Sequence, residues 1–374
     1  LQRIYWDKVL QSLDEADVYG VTEESRTLRS DVLSAVDKLD GIERVEVVPI
    51  SLGDAVDSKT DIVRIVASDT ELFILDRSLG RIMRLFLSGD TFQLDTTFDC
   101  GTGTHQMLSC EEDGEKYSCE PDPIQEGLMG PPVDLLMLPL MNTLNTSIMA
   151  IDSEGTLMYC KPGQAPLLTV LSEPSVGWGQ IAAFSLESDV LYIMDKGNNA
   201  LYYSIGSDSY FPEGYLQNDG SMKTNLYTFF TGDYVPQFEH IRDMKVNSSE
   251  VFLLKDDGTM ISCIENNGLR CEDPAPYGDI RKGNDTTPEP LVLAGENFTQ
   301  MQITQPSMPA IFLLDLSRQA VYQFTWRLNL VRQLRARGQS GFTLPETSPT
   351  AFAVTPNHQM IVAYGSQLYF GPLP

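Results

Sequence analysis

The chain has 374 residues, and its 52 acidic against 26 basic side chains give a formal net charge of -26. Phosphate contacts need clustered Lys and Arg, so this balance excludes nucleic acid and anionic lipid as electrostatic partners. Hydrophobic residues make up 42% and charged residues 21%, a globular composition with no apolar run of the length, about 18 residues, that crosses a bilayer.

Leu1 stands in place of an initiator Met, which reads as a processed or truncated product with a signal peptide or membrane anchor upstream. Trp6, Val9, Leu10 and Leu13 then fall at i, i+3, i+4 and i+7, and Leu28, Val32, Ala35, Val36 and Leu39 repeat that face. Gly20 caps the first segment, Thr22 with Glu23 and Glu24 opens the second, and Gly41 closes it. Residues 1–41 therefore read as a helical hairpin. Its apolar stripe either packs on the edge of a β domain, or the hairpin is a stalk from an upstream membrane helix with Tyr5 and Trp6 as interfacial aromatics.

Beyond Gly41, an apolar run, a turn rich in Asp, Gly and Asn, and a second apolar run recur six times. The pairs are Glu71–Asp76 with Arg81–Phe86, Ser147–Asp152 with Thr156–Cys160, Val190–Asp195 with Ala200–Ile205, Val251–Asp256 with Thr259–Ile264, Ala310–Asp315 with Ala320–Phe324, and Gln359–Tyr364 with Gln367–Phe370. Such repetition specifies a radial or stacked β array. Each pair is preceded by a short strand: Ile62–Val66, Leu135–Leu140, Ile181–Phe184, Met244–Val246, Met301–Thr304 and Ala351–Val354. Most are followed by a fourth: Thr91–Phe98, Pro166–Leu171, Leu226–Phe230, Pro290–Leu293 and Leu328–Leu334. Four antiparallel strands make a propeller blade, so residues 42–374 are expected to form an all-β, six-bladed β-propeller. The last unit reaches Pro374 after three strands, and the alternating segment Glu43–Ser51 is expected beside Gln367–Phe370 as its fourth, closing the ring and removing an open edge. Units average about 55 residues, against about 40 to 50 in compact propeller repeats. The excess lies in 99–131, 206–225 and 265–289, read as long loops of the kind that carry binding functions.

The six cysteines form no C-x-x-C pair, which speaks against zinc and thioredoxin-like chemistry. Cys110 with Cys119 and Cys263 with Cys271 can each close a local loop, and by elimination Cys100 pairs with Cys160. An oxidising, extracytoplasmic compartment follows from that scheme. Sequons at Asn145, Asn247, Asn284 and Asn297 fall in predicted turns, but so short a pattern is common by chance.

With its aspartate-bearing turns, as in Leu191–Asp195 with Asn198–Tyr202 and Ile311–Asp315 with Gln319–Tyr322, the chain resembles the six-bladed propellers of the NHL, YWTD and gluconolactonase-like group. The likeness covers nearly everything after residue 41, though the Tyr-Trp-Thr-Asp tetrad and the Asn-His-Leu element are absent. It implies a role among extracellular sensor domains of bacterial membrane kinases, receptor ectodomains and calcium-dependent lactonases.

Catalytic motifs are scarce. His105, His240 and His358 lie far apart, Gly338-Gln-Ser-Gly341 lacks the spacing of a nucleophile elbow, and Gly101-Thr-Gly103 is too short for a nucleotide fingerprint. Asp61, Asp134 and Asp243 stand at the start of inner strands, where three carboxylates could converge on the channel and hold calcium, or instead bond local backbone amides. The turn aspartates Asp76, Asp152, Asp195, Asp257 and Asp315 are explained by backbone geometry alone. Glu111–Glu115, closed by the Cys110–Cys119 bridge, reads as a solvated acidic loop. Trp178, between Gly177 and Gly179, either stacks on a ligand or plugs a blade junction, and Tyr227, Phe229, Phe230, Tyr234 and Phe238 form an aromatic run. The expected function is non-catalytic recognition of a protein, peptide or glycan outside the cytoplasm. Asp61, Asp134, Trp178, Tyr234 and Asp243 are the expected contacts on the channel-mouth face, in a membrane-anchored sensor or adhesion module. The alternative is a calcium-dependent lactonase or esterase acting in the channel.

Overall fold

Burial of both faces of nearly every strand dictates the architecture. Along Glu71–Asp76, Leu72 and Ile74 enter one apolar cluster with Ala351, Ile361 and Leu368, while Phe73 and Leu75 enter another with Leu135, Ile148 and Met158. Successive side chains point to opposite faces, so a run that is apolar at every position belongs to a sheet sandwiched between two others. The computed structural model describes residues 2–113, 116–139, 142, 144–205, 215–216, 222–223, 226–232, 234–265, 268–279, 297–339 and 343–374.

These residues form an all-β propeller preceded by a helical hairpin. Four separate sheets carry four to six strands each, and one continuous sheet carries nine. The inner strands are Ile62–Ala67, Pro132–Met137, Ile181–Glu187, Ile241–Asn247, Phe298–Thr304 and Ala351–Val354. Each neighbours the next, and the last returns to the first around a central channel. The expected six separate sheets are therefore corrected: the last two repeat units are fused. The cause is the strand Ile42–Ile50, which pairs on two sides. Its residues Val48–Ile50 run antiparallel to Leu368–Phe370, at the expected place, whereas Ile42–Val47 run parallel to Gln333–Gly338, which was not expected. The crossing brings backbone against backbone, because a Cβ on Gly371 would collide with the carbonyl oxygen of Glu46.

Two of the expected loops are strands. Residues 99–131 contain a long hairpin, Gly103–Asp113 with Lys116–Met129, whose first strand extends the second sheet by pairing parallel to Leu167–Val170. Leu269–Ala275 is the outer strand of the fourth unit, and the expected Pro290–Leu293 lies outside the described residues, as does sequon Asn284. Cys100–Cys160 joins the first unit to the second, and Cys263–Cys271 staples two paired strands. Cys110 and Cys119 are register partners in the long hairpin, but their side chains and those of the acidic loop Glu111–Glu115 lie outside the described ones.

The helices are Gln2–Asp17 and Glu23–Asp40. Thr22 caps the second through a reciprocal bond with Ser25, and Gly41 ends it at φ 65°. The apolar stripes meet each other, burying Leu13 and Val32, and only the second helix makes substantial contact with strand Ile42–Ile50. No helix among the described residues is long and apolar enough to cross a membrane.

Replacing Cys100 and Cys160 together by Ala opens a loop of 60 residues, and the expected loss is about 4 kcal/mol of unfolding free energy, measured by urea titration. The same change at Cys263 and Cys271, 8 residues apart, should cost about 2.5 kcal/mol.

Candidate functional site

A β-bulge near the start of each of the first five inner strands sets the geometry at the channel centre. The residue directly after the bulge is Arg64, Asp134, Ala183, Asp243 or Gln300, each opposite the penultimate residue of its partner strand. Five equivalent slots thus carry one cation, two carboxylates, one amide and one methyl group.

Arg64 ties this layer together. Its Nε contacts Asp134 Oδ1 at 2.8 Å, and its two terminal nitrogens donate to Asp243 at 2.8 and 3.0 Å. Both carboxylates are fully buried and take further bonds from the backbone. Asp134 accepts from the amides of Leu135 and Phe184, and Asp243 from those of Met244 and Met301. Lys245 Nζ lies 3.9 Å from Asp134 and 3.8 Å from Asp243. Burial by itself would push the Asp243 carboxyl up, but Arg64 and Lys245 overcome it and hold the group below the usual carboxylate range. Burial likewise opposes the charge on Arg64, and the two aspartates outweigh it and raise that guanidinium above its ordinary value. Gln300 completes the layer by donating to the carbonyls of Val63 and Thr350, while its own Oε1 is buried without a partner.

Beyond the layer lies a cavity of about 240 Å³ lined by Lys245, Ser185, Glu187, Gln302 and Gln305 among apolar side chains such as Leu136 and Phe352. It is a small polar-floored pocket within the strand ring.

The expected carboxylate triad is only partly assembled. Asp134 and Asp243 meet, but on Arg64 rather than around an open cation site, and no group of three or more metal-capable side chains occurs among the described residues. Asp61 does not join them. It precedes its strand by one residue, whereas Asp134 and Asp243 sit two residues inside theirs, and it pairs with Arg77 at 2.7 Å on the surface. Trp178 packs edge-on against Tyr202 at 5.6 Å and fills the space above Gly155, where a Cβ would strike its Nε1. Trp178 therefore closes the junction between the second and third sheets. Tyr234 donates to Asp273 Oδ2 at 2.9 Å and rests on Phe230, at the end of a chain of ring contacts running from Tyr192 through Phe229. The five expected contacts thus occupy separate places, and only Asp134 and Asp243 share a site.

Arg64, Lys245 and Gln300 were missed by sequence reasoning. Aligning the repeats on the bulge rather than on the first apolar residue puts Arg64 and Gln300 in the same slot as the two aspartates. The turn aspartates Asp76, Asp152, Asp195 and Asp315 are buried clasps that accept amides from their own turn and from the start of the inner strand, as Asp195 does from Gly179, Gln180 and Asn198. Asp257 differs, being an exposed turn residue capped by Thr259. None of the three histidines lines the channel cavity: His105 bonds the Gly101 carbonyl and His240 pairs with Asp256 on the surface. Sequon Asn247 ends an inner strand, buried, and accepts from Gln305.

No protein-family model matches the chain, and no curated protein sequence matches it. Among solved structures it is similar to a virginiamycin B lyase from Staphylococcus aureus, at 9% identity over 88% of this chain and 99% of that one, with a TM-score of 0.47. It is also similar to the calcium-binding protein regucalcin from Agrobacterium tumefaciens, at 8% identity over 88% and 94% with a TM-score of 0.49, and to the Pan2 WD40 domain of Neurospora crassa, at 10% over 89% and 96% with a TM-score of 0.46.

Replacing Arg64 by Met leaves two buried carboxylates without their cation, and the expected loss is about 3 to 5 kcal/mol near neutral pH. The sign with pH follows from the depressed Asp243. In the wild type its contribution is present above the unfolded-state value of about 3.9 and is lost as pH falls through the folded value. In Arg64→Met, Asp243 loses the largest charge opposing its burial and keeps only Lys245 and the backbone amides, so protonating it costs less and the deficit relative to wild type should narrow on acidification from neutral pH. Urea unfolding across that range checks this, and a deficit that stays constant would contradict it.

Proposed function

We propose that this chain is a non-catalytic recognition propeller of six sectors that works outside the cytoplasm, as part of a membrane-anchored protein, and binds a protein, peptide or glycan. The observation that carries the reading is the internal neutralisation of the channel charges: Arg64 engages both buried aspartates, and Lys245 stands behind them. A hydrolytic channel needs an open cation or a general base free to take a proton, and these carboxylates are already saturated by a guanidinium and backbone amides. Six sectors are supported by the six inner strands and by the apolar clusters between neighbouring sheets, with the nine-stranded sheet taken as two sectors fused through Ile42–Ile50. Residues 1–41 are the hairpin and 42–374 the ring. The two disulfides support an oxidising location.

Asp61, Trp178 and Tyr234 lie on segments leading into inner strands, Asp61 paired with Arg77 and Tyr234 bonded to Asp273, and the recognition face is assigned to that end of the ring. Thermal melting with EDTA and with added calcium, together with lactone and ester turnover, tests the proposal. The expected result is an unchanged melting temperature in both solutions and no turnover above the uncatalysed rate. A calcium-dependent rise in melting temperature, with turnover abolished in Asp243→Ala, would replace recognition with hydrolysis.

A further inference from the structure

We infer that the cleft between the hairpin and the propeller binds an oxyanion, the phosphate, sulfate or carboxylate group of a small ligand. The cleft encloses about 320 Å³ and is lined by Arg26, Arg29, Ser30, Leu33, Ser34, Asp37, Arg44 and Arg337. In a chain of net charge -26, four arginines around one cavity run against the overall composition.

The second helix builds one wall through its spacing. Arg26, Ser30 and Ser34 stand at i, i+4 and i+8, and Arg29, Leu33 and Asp37 form the adjacent row, so one helix face presents cations and hydroxyls toward the cleft. The opposite wall comes from the parallel pairing of Ile42–Val47 with Gln333–Gly338, which sets Arg44 beside Arg335 and Glu46 beside Arg337.

The internal carboxylates answer only part of this charge. Asp37 takes two bonds from Arg44, at 2.5 and 2.7 Å, and Asp14 and Asp17 engage Arg29. Arg337 has only a long contact of 3.6 Å to Glu46, with both side chains more than half exposed. Arg26, Ser30 and Ser34 have no side-chain partner among the described residues. Two guanidinium groups and two hydroxyls are thus available to a guest, and planar guanidinium forks match oxyanions in geometry as well as charge. A bound anion would bridge the hairpin to the ring alongside the Arg44–Asp37 pair. This site is separate from the channel and does not rest on the recognition reading.

Isothermal titration of the full chain with sodium phosphate, sulfate and acetate, each against sodium chloride at matched ionic strength, tests the site and separates the three oxyanion sources. Saturable binding of at least one is expected, weakened about tenfold or more in Arg26→Ala/Arg337→Ala and unchanged in the control Arg327→Ala. The altered arginines are exposed or loosely paired, so the double variant should melt with the wild type. Hydrogen exchange along Ser25–Asp37 should slow when the anion binds. Absence of saturable binding for all three salts, or equal binding by wild type and double variant, would overturn the assignment.

Discussion

One guanidinium holds the centre of this molecule. Arg64 belongs to the first sheet, and its two aspartate partners belong to the second and fourth. Through the amides that those aspartates accept, Phe184 of the third sheet and Met301 of the nine-stranded sheet join the same network. Every sheet of four or more strands is therefore connected to a single layer of charge. Buried ions are costly to desolvate, and the cost is offset only when each partner is fully hydrogen-bonded, as both carboxylates are here.

Around that hub the fold is held by repetition. Each second strand buries both faces and ends, in four units, on an aspartate that clasps the start of the inner strand. In the fourth unit Lys255 takes that position, paired with Asp257 and Asp273 on the surface. Strand Ile42–Ile50, with Val45 and Val47 fully buried, lies between the last two units and makes them one sheet. The hairpin is continuous with this strand, and its second helix packs on it.

Much of this was legible in the sequence because its signals are local. The paired apolar runs with their Asp and Gly turns gave strands and order, and the spacing of Leu13 and Val32, with Thr22 and Gly41, gave the hairpin. The Cys263–Cys271 bridge followed from closeness in sequence and Cys100–Cys160 by elimination. What was not legible depended on position around the ring. Gly103–Met129 reads as a polar loop because its strands form the outer edge of the second sheet, where most of Glu120–Leu128 is exposed and no alternation is required. Leu269–Ala275 is hidden for the same reason. The parallel pairing of Ile42–Val47 leaves no local trace, since an alternating strand looks alike whether it pairs on one side or two. Asp61 was grouped with Asp134 and Asp243 by nearness to strand starts, and only the bulge register shows that Arg64 is the residue that faces them.

At the axis of this ring one guanidinium is neutralised by two buried carboxylates. The channel aspartates that resemble a cation site in sequence serve to lock Arg64, and Trp178 serves to close a sheet junction. The most direct measurement is a high-resolution crystal structure from crystals grown in calcium. Planar guanidinium density between Asp134 and Asp243, with bonds to both, is the expected result; a spherical ion peak there, with Arg64 turned away, would contradict it.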